Sequence, residues 1–224
     1  MLPNNIILKK FNIKKILKEF PKSGQKKVLL VEHQKFGSVI LKIVEGIDKR
    51  VKREIDIVTK NDINYVPKIM EINTFQYEDK VGIYLYEEFI EGNTLREILD
   101  TNKISLAEAL ELTESMLKTL MELEKLSIVH RDIKPANIIR SNTREWYLID
   151  FGIARVLDET ALTNTGALFG PHTPGYGAPE LFEYKKSDID SRADLFSLGV
   201  VLFEAITGKH PFVKDEGMEV NDIW

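Results

Sequence analysis

His130-Arg131-Asp132-Ile133-Lys134-Pro135-Ala136-Asn137, followed downstream by Asp150-Phe151-Gly152, is the stretch on which the reading of this chain turns. It gathers two aspartates, a lysine and an asparagine in a short span. The plain reading is a polar loop whose Asp and Asn side chains cap local turns. What lies between the two runs argues for more. Residues 137–140 and 146–149 fit a pair of strands joined by the turn Ser141-Asn142-Thr143-Arg144, so the polar residues sit around a hairpin.

Working outward, Ser105-Leu106-Ala107-Glu108 has the capping-box pattern and predicts a helix start. Leu106, Leu110, Met116, Leu117, Leu120 and Met121 carry an apolar face down to about Leu126. Ser191-Arg192-Ala193-Asp194 is expected to open a second, apolar helix over 195–206 in the same way, with Gly208 and Pro211 ending it. The first third reads differently. Strands are expected at 16–20, 28–31 and 39–43, with turns at 21–25 and 32–37, then a charged helix over 48–60, whose Val51, Ile55 and Val58 fall at helical spacing. Pro67 closes that connection, and two further strands fit 68–75 and 81–89 about a turn at 77–80. Glu91-Gly92-Asn93 reads as a linker. The order is a mostly β part followed by a mostly α part, without internal repeats or low-complexity segments.

Composition sets the outer limits. The 224 residues are 43% apolar and 29% charged, an ordinary globular balance with enough apolar side chains for a core. There is no cysteine, which excludes disulfides, thiolate metal sites and a cysteine nucleophile and is compatible with a reducing cytoplasm, the expected location. The longest apolar run, 195–206, broken by Ser197, Gly199 and Glu204, is too short to cross a bilayer. Residues 1–20 lack the continuous apolar core and small-residue cleavage site of a signal peptide. Net charge is −4 but unevenly spread: residues 1–60 hold 15 Lys and Arg against 6 Asp and Glu, and the remainder 16 against 29. Most of this is solvated surface; the sharper reading is a basic part facing a polyanion and an acidic part facing basic partners.

His130 to Asn137 and Asp150-Phe151-Gly152 resemble the H-R-D-x-x-x-x-N loop and the D-F-G motif of the protein kinases. Val39-Ile40-Leu41-Lys42 resembles the strand whose lysine holds the α- and β-phosphates of ATP, and Arg53-Glu54-Ile55 the helix carboxylate that partners it, with Asp56 and Glu45 as nearby alternatives. Leu162-Thr163-Asn164-Thr165-Gly166 and Thr173-Pro174-Gly175-Tyr176-Gly177-Ala178-Pro179-Glu180 resemble the activation segment of bacterial, eukaryotic-like serine/threonine kinases. The resemblance implies an α+β, bilobal protein-kinase-like fold, with residues 1–88 as the first lobe and 89–224 as a partial second lobe. It implies ATP and Mg²⁺ as cofactors and a protein bearing Ser or Thr as partner, with no nucleic acid. Asp132 becomes the base for the substrate hydroxyl, Lys134 a cation beside the transferred phosphate, and Asn137 and Asp150 the magnesium ligands. Val28, Ile40 and Ile139 would sandwich the adenine, and the backbone of Glu88 and Ile90 would hydrogen-bond it. Thr163 and Thr165 become candidate phosphorylation sites for Arg131 to pair with. Asp194 would anchor the loop, and His130 would pack rather than act as a base; His33, His172 and His210 fall in predicted loops without a role.

Three departures qualify the resemblance. The glycine-rich turn keeps only Gly24, with Lys22, Lys26 and Lys27 as substitute sources of charge. Glu87 stands behind the adenine position, where a carboxylate needs a partner or water. The chain ends at Trp224, before the helices that usually complete the second lobe and bring an arginine to Glu180. That predicts a fragment or a shortened kinase with exposed apolar surface or a partner covering it. Two other readings follow: a pseudokinase acting as scaffold or allosteric partner, and a small-molecule kinase of the aminoglycoside or choline type.

Overall fold

A computed structural model describes residues 2–21, 26–45, 61–78, 80–150, 175–181 and 189–213. Gly24, Lys22, Glu54, Asp56, the expected helix over 48–60, Phe151, Gly152, Thr163, Thr165 and His172 lie outside the described residues. The chain divides into two compact units, Met1–Asp62 with Pro67–Phe89, and Ile63–Val66 with Ile90–Trp224.

The first unit is a five-stranded antiparallel sheet in the order β1-β2-β3-β5-β4. The strands are β1 (Ile13–Glu19), β2 (Lys26–His33), β3 (Gly37–Glu45), β4 (Ile69–Tyr77) and β5 (Lys80–Glu88). β1 is an edge strand, and its exposed Lys14, Lys15 and Lys18 discourage further strand pairing. A helix that the sequence reading leaves unassigned, α1 (Asn4–Lys10), precedes it. Its Ile7, with Leu2 and Phe11, packs on Leu29, Val31, Val39, Leu41, Ile43, Phe75 and Tyr86, all on one face of the sheet. Each such buried side chain contributes about 1.5–3 kcal/mol. Gly82 is required there, because a Cβ would lie 2.5 Å from the Phe75 ring. Period-two alternation turns Val28, Leu30, Ile40, Lys42, Leu85 and Glu87 to the opposite face.

His33 is not in a loop: it ends β2 and is buried. Its Nδ1 accepts the N–H groups of Lys35 and Phe36, both at 3.2 Å, and its ring stacks on Phe36. Burial lowers its pKa from the usual histidine value.

The second unit holds a three-stranded sheet, β6 (Gly92–Thr94), β7 (Ile138–Ser141) and β8 (Trp146–Leu148), in that order. The expected hairpin is present. The expected linker at 91–93 is instead mostly β6, paired with β7 through Asn93↔Arg140; its partner lies far along the chain, so no local pattern announces it. Helices α2 (Leu95–Leu99), α3 (Leu106–Lys125) and α4 (Ser191–Thr207) complete the described part. Ser105 and Glu108 form the predicted capping box of α3. The cap of α4 is Asp190, whose carboxylate accepts the Arg192 N–H. Ser191 is the first helical residue instead, because a carboxylate one position earlier meets the helix dipole. Gly208 ends α4 in the left-handed region, φ +73°.

The buried face of α3 also differs from the expectation. Ala109, Leu112, Met116, Thr119, Leu120 and Leu123 face inward, whereas Leu106, Leu110, Leu117 and Met121 are exposed. The short segment Ile63–Val66 docks on α3: Glu122 accepts the backbone and side-chain N–H groups of Asn64 at 2.7 and 2.6 Å, and the Thr119 hydroxyl donates to Asn64 O at 2.9 Å. No helix among the described residues is long and apolar enough to cross a membrane.

Candidate functional site

In the second unit the loop 130–137 is built from the core outward. Asp194, in the first turn of α4 and 1% exposed, accepts the backbone N–H groups of His130 and Arg131, each at 2.7 Å. This holds Arg131 at φ +63°, a conformation a non-glycine residue keeps only when its surroundings impose it. His130 is buried, and its Nδ1 accepts the N–H of Asp132 at 3.3 Å. Nε2 therefore carries the proton and donates to Ile149 O, also at 3.3 Å. Burial lowers the His130 pKa, so the ring stays neutral and acts as a spacer.

This scaffold brings three of the expected residues together. Asp132 Oδ2 meets Lys134 Nζ at 3.1 Å and accepts from Asn137 Nδ2 at 2.9 Å. Asn137 Nδ2 also donates to Asp132 O at 2.8 Å. Both amide protons thus point at Asp132, which leaves the Asn137 amide oxygen as the group able to take a cation. Pro135–Asn137 form a 3-10 turn, and the carbonyl of Asn137 accepts the Ile149 N–H at 2.9 Å, which places Asp150 next in line. Asp150 has φ +65°, a second left-handed residue at the site. Hard oxygens from one carboxylate and one amide suit Mg²⁺, which takes few protein ligands and completes its shell with water and phosphate. No convergent group of three or more His, Asp and Glu occurs among the described residues, so a zinc-like centre finds no support there.

Ile139 on β7 is half-buried and paired with Tyr147 and Thr94; Ile90 is buried. In the first unit Val28, Ile40 and Lys42 share one sheet face, with Val28 directly opposite Lys42 across β2 and β3. The N–H of Glu88 donates to Lys68 O at 2.8 Å. Lys27 points to the other face, where its Nζ meets Asn4 Oδ1 at 2.6 Å and Glu19 at 3.3 Å, and so is not a substitute for missing loop glycines.

Two arrangements escaped the sequence reading. Lys42 Nζ lies 2.5 Å from Glu87 Oε2 on the adjacent strand β5. In the second unit, Glu204 of α4 accepts from Arg96 of α2 at 2.7 Å and from the Tyr176 hydroxyl at 2.5 Å. The Tyr176 pKa is driven upward by burial and by this bond, so it remains a donor. The signal for Glu204 was a lone glutamate inside an otherwise apolar helix. Its network secures the run Gly175-Tyr176-Gly177-Ala178, where Gly175 has φ +92° and a Cβ would strike His210.

The protein kinase domain family matches residues 9–223. A probable serine/threonine-protein kinase of Streptomyces coelicolor is 39% identical over 64% of this chain and 21% of its own length. Serine/threonine-protein kinase PknB of Mycobacterium leprae is 38% identical over 70% of this chain and 25% of its own. A probable serine/threonine-protein kinase PknB of Lactococcus lactis is 29% identical over 92% of this chain and 33% of its own. The chain thus spans a third or less of these relatives. With a match over nearly its whole length, the chain belongs to the protein kinase domain family.

Proposed function

We propose that this chain transfers the γ-phosphate of ATP to a serine or threonine hydroxyl of a protein. The observation that carries the reading is the loop tied down by Asp194, which sets Asp132, Lys134 and Asn137 in mutual contact in a chain of this family. Phosphoryl transfer asks a protein mainly for positioning and charge compensation. Asp132 receives the hydroxyl proton, and Lys134 offsets charge on the moving phosphate. Asn137 and Asp150 would hold Mg²⁺, which when bound neutralises phosphate oxygens. Lys42 holds the α- and β-phosphates, with Glu54 as a supporting carboxylate. Val28, Ile40 and Ile139 would contact the adenine, the backbone of Glu88 and Ile90 would hydrogen-bond its edge, and Gly24 is the glycine assigned to the phosphates. In this reading residues 1–88 form the first lobe and 89–224 the second. A partner covering the second lobe belongs to the same reading. The cytoplasm, where ATP and Mg²⁺ are plentiful, is the matching location.

A scaffold without catalysis is the second reading, favoured by the single glycine among residues 21–25. Radiolabelled ATP with Mg²⁺, offered with a mixed set of proteins, separates the two. The expected result is acid-stable label on serine and threonine, lost at least about 100-fold in Lys42→Met. Nucleotide binding without transfer in the parent chain selects the scaffold, and label appearing only on small amines or alcohols selects a small-molecule kinase.

A further inference from the structure

The position of Glu87 is fixed by strand register. Ile40 pairs with Glu87 and Lys42 with Leu85, so Lys42 and Glu87 are diagonal neighbours on one face of β3 and β5. At that offset two long side chains reach one another. They do: Nζ to Oε2 is 2.5 Å, and the two residues are 7% and 5% exposed. Val28 lies opposite Lys42 on β2 and Leu85 opposite it on β5, so the pair is flanked by apolar side chains. A charge in such surroundings is held by its counter-charge.

We propose that Glu87 is a positioning residue for Lys42: a carboxylate carried by the adjacent strand aims the phosphate-binding ammonium from within the sheet itself. Both ends sit in paired strands, so this hold does not wait on a helix moving into place. Glu87 itself touches no phosphate; it acts through Lys42. The proposal rests on the kinase reading of Lys42.

A double-mutant cycle on MgATP affinity tests it, using a fluorescent ATP analogue and the full chain. Glu87→Gln should weaken binding at least about 10-fold in the parent, and Glu87→Asp should restore part of the loss. In a Lys42→Met background the same Glu87→Gln change should alter affinity by less than about twofold, because nothing remains to be aimed. A role confined to packing would weaken binding equally in both backgrounds, and that result overturns the proposal. So does unchanged affinity in Glu87→Gln, which would leave the kinase reading standing. A parent chain that binds no MgATP overturns both. Thermal unfolding checks each variant; should Glu87→Gln not fold, Glu87→Asp and Glu87→Met complete the same cycle.

Discussion

Asp132→Asn should lower the rate of phosphate transfer about 100- to 10,000-fold, the range by which a positioned base accelerates a reaction, while changing MgATP affinity by less than about threefold. Asparagine has nearly the shape of aspartate, and its amide oxygen can still accept from Asn137 Nδ2, so the geometry around Asn137 survives. It cannot take up a proton from the substrate hydroxyl. The contact with Lys134 changes from an ion pair to a hydrogen bond. With both side chains roughly a fifth exposed, that change costs stability at most about 1 kcal/mol. Turnover measured in parallel with nucleotide binding separates the two effects. A variant that keeps its rate would remove Asp132 from the role of base.

Asp194→Ala should destabilise the fold by about 3–5 kcal/mol. The carboxylate is buried and accepts two backbone N–H groups at 2.7 Å. Hydrogen bonds to a charged group are worth about 1.5–3 kcal/mol each, and the stranded N–H groups add a desolvation cost. Arg131 would also lose the contact that holds it at φ +63°. Against a typical domain stability of about 5–15 kcal/mol, this loss is a large share. Asp194→Asn should cost roughly half as much, since one N–H keeps an acceptor and the other faces the new amide donor. Urea denaturation of the three proteins measures the series. Equal stability of Asp194→Ala and the parent would show that the loop stands without its anchor.

The elements that the sequence announced are those whose causes are local. The hairpin of β7 and β8, the Ser105–Glu108 capping box and the Gly208 helix end depend on residues a few positions apart, and each occurs as read. The anchoring role of Asp194 was legible through motif order. The contact between Lys42 and Glu87 was not, because it depends on the register between β3 and β5, which no single strand encodes. The face of α3 was misjudged for a related reason. That helix is apolar on two sides, and the docked side includes the less conspicuous Ala109, Ser115 and Thr119. Periodicity shows that a helix has an apolar stripe; it does not say which of two stripes finds a neighbour. β6 and the Ile63–Val66 segment were illegible because their partners are distant in the chain.

The most direct measurement is intact-mass spectrometry of the chain incubated with ATP and Mg²⁺, followed by peptide mapping. Covalent phosphate on serine or threonine is predicted, at Thr163 or Thr165 first, present in the parent and absent from Asp132→Asn and Lys42→Met. A folded parent chain that binds MgATP yet places phosphate on no serine or threonine, of itself or of any supplied protein, would contradict the account.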